Sequence, residues 1–120
     1  MHNFKKLKIW NESMELVSES YKLTRSFPKF ETYGLISQMN RCAVSIPSNI
    51  SEGTSKSSDK HFATYLEHSL GSAFEWETQL NVAFNERYIS EEKFKELEQK
   101  IKQIQKMISS FKSGLKSLDS

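Results

Sequence analysis

Apolar residues recur along this chain at steps of three and four, the spacing that lines up side chains on one face of a helix, and they do so in four separate runs. The first run, about 7–26, sets Trp10, Met14, Val17, Tyr21 and Thr24 on one stripe, widened by Leu16, Leu23 and Phe27. Pro28 ends it, because proline lacks an N–H and denies its predecessor the helical conformation. The second run, about 32–52, carries Leu35, Met39, Cys42 or Ala43, Ile46 and Ile50, with Thr32 as a candidate N-cap and Gly53 as a C-terminal stop. The third, about 59–85, follows a polar loop in which Ser58 or Asp59 can cap it, and repeats Phe62, Leu66, Ser69, Ala73, Trp76, Leu80 and Ala83 as a heptad. Such a repeat favours nearly parallel helix packing. The fourth, about 90–118, opens at Ser90 with Glu91 and Glu92 at the positive helix end, and steps through Phe94, Leu97, Ile101, Ile104, Ile108, Phe111, Leu115 and Leu118.

No alternating strand pattern and no Asn-Gly or Asp-Gly hairpin turn interrupts these runs. The expected fold is all-α: one domain over residues 1–120, an up-down-up-down four-helix bundle with antiparallel neighbours and short loops. A chain of 120 residues, 37% hydrophobic and 27% charged, has a globular composition and can bury roughly two thirds of its unfolded surface in one core.

Two positions conflict with a plain amphipathic pattern. Pro47 removes the bond that its N–H would give to the carbonyl of Ala43, a loss of about 3 kcal/mol in an ordinary helix. The opposite side of that helix carries Gln38, Arg41, Ser45, Asn49 and Glu52. We expect Pro47 to kink or open the helix, with Arg41, Asn49 and Glu52 bonding across helices or subunits. Gly71 interrupts the third run within the small-residue stretch from Ser69 to Ala73, where it is expected to permit close helix approach.

Charge is uneven although the net value is only +2. Residues 1–30 hold six Lys/Arg against three Glu, residues 31–85 three against six acids, and residues 86–120 eight against six. Basic outer and acidic middle segments fit either an anionic partner or attraction between parts of the chain. Lys95, Lys102, Lys106 and Lys116 fall off the apolar stripe of the fourth helix and, with Arg25, are the candidate nucleic-acid contacts; the alternative is a solvated helix face. The N-terminal basic residues precede no signal-peptide apolar run, no stretch is long enough to span a membrane, and Cys42 is the single cysteine. A reducing cytoplasm is the expected compartment.

Convergent chemistry is not expected. His61 and His68 lie seven apart, about 10 Å along a helix axis, too far for one ion, and with Glu75 they read as a polar border beside the core. Cys42 falls in an apolar register, where cysteine behaves as a small hydrophobe; its neighbour Arg41 keeps a nucleophile as the alternative. No phosphate-cradling glycine loop or nucleophile elbow occurs. Catalytic residues, cofactor, metal and small-molecule substrate are therefore all expected to be none.

The stretch Arg41, Ala43, Ser45-Ile46-Pro47, Asn49-Ile50 and Glu52-Gly53 carries the most specific likeness in the chain. Together with Phe27-Pro28, Tyr33-Gly34-Leu35, Gln38, Tyr65-Leu66, Gly71-Ser72 and Glu77-Thr78, it resembles the four-helix-bundle proteins encoded in intervening sequences of bacterial 23S ribosomal RNA genes. The likeness spans roughly residues 4–90, and helix four agrees only in pattern. It implies a bacterial cytoplasmic homopentamer. A related branch, the accessory protein of diversity-generating retroelements, implies RNA or an RNA-associated protein as partner. Arg41, Ser45, Pro47, Asn49, Glu52, Gly53 and Gly71 would then form an architectural signature or subunit interface. Asn40 stands where that family commonly has a second arginine, Cys42 and Ser51 replace usual alanines, and Trp76 replaces a leucine. The expected function is a non-enzymatic, homo-oligomeric adaptor, with a protein-interaction module that does not touch nucleic acid as the alternative.

Overall fold

Four helices account for the structure, a computed structural model that describes residues 3–119 and the side chains as far as Leu115. A 3-10 turn at Phe4–Lys6 leads into α1 (Lys8–Thr24), and a second at Lys29–Glu31 precedes α2 (Leu35–Thr54). Then follow α3 (Asp59–Asn85) and α4 (Glu91–Asp119), with no strand among the described residues. Each helix packs on its neighbours in sequence and α1 returns against α4, closing an antiparallel four-helix bundle of 47 × 24 × 20 Å.

The helix ends follow local chemistry. Ser58 Oγ accepts from the His61 N–H at 3.2 Å, and Ser90 Oγ accepts from the Lys93 N–H at 3.1 Å, so both hydroxyls cap the helices they precede. Helix α2 begins three residues later than its pattern suggests. Thr32 does not cap it; the Glu31 carboxylate accepts from the Leu35 N–H instead, at 3.2 Å. Arg87 closes α3 in the left-handed region (φ 66°), with the Tyr88 N–H bonded to the Ala83 carbonyl and the Arg87 N–H to that of Phe84. This pair of bonds satisfies the last carbonyls of the helix.

The core follows the heptads of α3 and α4 closely. Phe62, Leu66, Ala73, Trp76, Leu80 and Ala83 are buried against Leu97, Ile101, Ile104 and Ile108, as are Met39, Ala43, Ile46 and Ile50 of α2. Helix α1 differs from its apolar pattern. Thr24 and the widening residues Leu16, Leu23 and Phe27 are buried as expected, but the buried row continues through Ile9, Ser13 and Ser20, while Trp10, Met14, Val17 and Tyr21 lie along the rim. The row with two serines wins because both hydroxyls have partners: Ser13 donates to the Ile9 carbonyl at 2.6 Å, and Ser20 joins a cross-helix network.

The two glycines also exchange roles. Helix α2 continues through Gly53, which is no stop; a Cβ there would stand 2.7 Å from Phe62 Cδ1 and 3.0 Å from Tyr65 Cβ, so its lack of a side chain lets α2 and α3 approach. Gly71 is exposed on α3, and a Cβ there would meet nothing within 4 Å, so no close approach within the chain requires it.

Candidate functional site

Around Pro47 the structure builds a polar seam from hydroxyls. Ser69 of α3 is buried and donates to the Ile46 carbonyl at 2.8 Å, and Ser72 donates to Ser45 Oγ at 2.9 Å. Asn49 turns back within its own helix, donating to the Ser45 carbonyl (2.9 Å) and hydroxyl (3.0 Å). Arg41 and Glu52 are exposed and bond to no other helix among the described residues. Pro47 itself stays inside a continuous helix and is buried. The cross-helix partners are thus serines of α3, Ser69 reaching backbone and Ser72 a hydroxyl without splitting the helices.

About two turns before Pro47, Asn40 of α2 and Trp76 of α3 belong to one unit. Trp76 is fully buried and donates its indole N–H to Ser20 Oγ at 3.0 Å. Ser20 donates to Asn40 Oδ1 (2.9 Å), and Asn40 Nδ2 donates to Thr24 Oγ1 (3.0 Å). An arginine at position 40 has donors only and could not accept from Ser20. The buried indole and Asn40 thus form one chain with Ser20 across α1, α2 and α3.

Cys42 is 7% exposed, donates its thiol toward Glu75 Oε2 at 3.5 Å, and accepts from Gln79 Nε2 at 3.5 Å. Burial pushes the thiol up from its ordinary value, and the Glu75 carboxylate adds to the rise. A raised, enclosed thiol is the opposite of an activated nucleophile. His61 and His68 are both exposed, the first against Ser58 Oγ and the second edge-on to the Tyr65 ring. Among the described residues, no group of three or more His, Cys, Asp or Glu side chains could hold a metal ion.

The lysines of α4 are largely engaged. Lys95 pairs with Glu91 at 3.3 Å, Lys102 with Glu98 at 3.8 Å and Lys112 with Glu67 at 2.8 Å. Lys100 bridges to Glu12 and Glu15 of α1, and Lys93 to Glu19, so much of the basic charge meets acids of the chain itself. Lys106 is exposed with no ion pair among the described residues, and the Lys116 side chain lies outside them. Arg25, at the end of α1, is likewise exposed and unpaired, as are Lys22 and Lys29 beside it.

Two surfaces on the α1–α2 side stay open. A groove of about 250 Å3 runs between Trp10, Met14 and Val17 of α1 and Val44 and Pro47 of α2. Met14 (40% exposed) and Val44 stand outward at its border, while Trp10 and Val17 are half-buried against the core. Beyond it, at the Arg25 end, a second groove of about 270 Å3 is lined by Tyr21, Arg25, Lys29, Thr32, Ile36 and Asn40. The adjoining turn lifts Phe30 and Tyr33 into solvent, 79% and 95% exposed. Sequence reasoning missed both grooves, because each needs two helices to face one another.

The model of the 23S rRNA-intervening sequence protein family matches residues 5–110. A crystal structure from Bacteroides thetaiotaomicron, described as a protein with unknown function from the S23 ribosomal protein family, superposes with a TM-score of 0.81. The two share 23% identity over 88% of this chain and 95% of that one, a likeness of fold. No curated protein matches the sequence.

Proposed function

Because the chain belongs to the family of 23S rRNA-intervening sequence proteins, we propose that it is a non-enzymatic, homo-oligomeric bundle that acts as an adaptor for RNA. The observation that carries this reading is the outward apolar face of α1 and α2, where Trp10, Met14, Val17 and Val44 lie beside buried Pro47. A contiguous apolar groove rimmed by polar residues suits a second surface of the same kind, and closed rings of copies are the usual outcome of such self-association. The pentamer implied by the family resemblance would repeat each weak basic patch five times. Repetition raises affinity for an extended polyanion through avidity and counterion release, without any one strong site.

No helix among the described residues is long and apolar enough to cross a membrane. A reducing cytoplasm suits the single, free Cys42, and neither cofactor nor small-molecule substrate enters the reading. A second reading, a protein-interaction module without nucleic-acid binding, is favoured by the pairing of Lys95, Lys102 and Lys112 with acids. Light scattering combined with absorbance at nucleic-acid wavelengths, on protein taken gently from cells, separates the two. The adaptor reading expects a multiple of 14.0 kDa with co-purified nucleic acid that salt removes. A multimer free of nucleic acid and inert toward RNA supports the second reading, and a monomer contradicts the homo-oligomeric adaptor.

A further inference from the structure

The groove at the Arg25 end is lined by cations and rings and by no acid. Its wall carries Tyr21 (43% exposed), Arg25 and Lys29 among uncharged neighbours that include Phe27, Ile36 and Asn40. Neither Arg25 nor Lys29 has an ion pair among the described residues, in contrast to Lys95 and Lys102 on α4. The nearest acid in sequence, Glu31, is committed elsewhere: its carboxylate accepts from the Tyr88 hydroxyl at 2.9 Å and from the Leu35 N–H at 3.2 Å.

The turn from Lys29 to Gly34 adds a second feature. Phe30 is 79% exposed with its ring edge-on to Tyr88, and Tyr33 is 95% exposed. Both rings stand largely in water beside unpaired cations, and Phe30 touches the chain edge-on at Tyr88. Rings that stack bases, flanked by Arg and Lys that meet phosphates, are the working parts of single-strand nucleic-acid surfaces. Arg adds a planar face that also stacks. The groove is smaller than the roughly 300–1,000 Å3 of a small-molecule site, and it suits one nucleotide of a chain passing over it.

We propose that this groove and the adjoining Lys29–Gly34 turn are the contact for single-stranded RNA, with Arg25 and Lys29 on phosphates and Tyr21, Phe30 and Tyr33 stacking on bases. The proposal rests on the RNA-adaptor reading and moves its contact away from Lys95, Lys102, Lys106 and Lys116 of α4, keeping Arg25 of the sequence candidates. Lys22, Arg25 and Lys29 stand exposed at this end without an ion pair among the described residues, a local positive patch on a chain whose net charge is only +2.

The test is fluorescence anisotropy with a labelled oligouridylate at low salt, on the full chain, beside light scattering and thermal melting of every variant. Arg25→Glu with Lys29→Glu should weaken binding about tenfold or more and flatten the salt dependence by about two counterions. Phe30→Ala with Tyr33→Ala, at side chains too exposed to matter for folding, should weaken it about fivefold or more, and carries the test alone if charge reversal disturbs the fold. Lys102→Glu with Lys106→Glu should change it less than about twofold. Wild-type affinity in both groove variants, or a larger loss from the α4 variant than from the groove, overturns the groove and leaves the RNA-adaptor reading standing. A wild-type chain that binds no oligouridylate overturns groove and RNA partner together, while its mass still decides self-association.

Discussion

Along the α2–α3 seam two helices meet through a glycine and buried hydroxyls; along the α1–α4 seam two helices meet through lysines reaching over a groove of about 450 Å3. In the first, Gly53 lets Phe62 and Tyr65 close in, and Ser69 places its hydroxyl on the Ile46 carbonyl. In the second, Lys100 spans to Glu12 and Glu15, and Lys93 to Glu19. Short polar groups at close range fix one register. Long charged stems tolerate several, because exposed ion pairs are weak and carry their own entropy cost. The bundle is therefore tight on one side and adaptable on the other, and the α1–α2 side, joined by Ser20, Asn40 and Thr24, leaves an apolar rim and a cationic groove open on its outer surface.

The contrast predicts an order of sensitivities. Gly53→Ala should be the most damaging small change, about 1–3 kcal/mol in a denaturant titration, since the added methyl would sit 2.7 Å from Phe62 Cδ1. A neutral result would mean that the seam is looser than its geometry. Ser69→Ala should cost about 1 kcal/mol by removing the bond to the Ile46 carbonyl. Gly71→Ala should go the other way, gaining about 0.4–1 kcal/mol, because helix propensity improves and the added Cβ meets nothing. A loss of assembly in that variant would place Gly71 against another subunit. Lys100→Met should cost between about 0 and 1 kcal/mol, and the difference from wild type should shrink at high salt.

The same pair sets a pH dependence. The hydrogen bond from Lys100, with its charge, holds the Glu12 carboxyl below its ordinary 4.5, although burial opposes the shift. A lowered carboxylate contributes stability that is complete above its unfolded value and is lost as pH falls through the folded one. Acid unfolding of wild type should therefore show a component that Lys100→Met lacks.

Much of the fold was legible in the residues because its signals are local. Ser58 and Ser90 announce the starts of α3 and α4, and the heptads of those helices coincide with the buried rows. Helix α1 misleads because its more apolar row, Trp10 to Tyr21, lies at the rim. Only the position of Trp76 and Asn40 in space reveals that Ser20 belongs inside. The neutralisation of Lys95 and Lys102 was in fact readable, since Glu91 and Glu98 each precede them by four. The acid-free groove was not, since Arg25 and Ile36 come together only when α1 and α2 pack.

The outward α1–α2 face as a subunit contact is the central claim, and the mass of one variant tests it directly. Light scattering should give wild type at a multiple of 14.0 kDa, and Met14→Glu with Val44→Glu at 14.0 kDa with helicity unchanged, since both side chains are exposed in the single chain. A monomeric wild type, or a variant that keeps the full assembly, would contradict it.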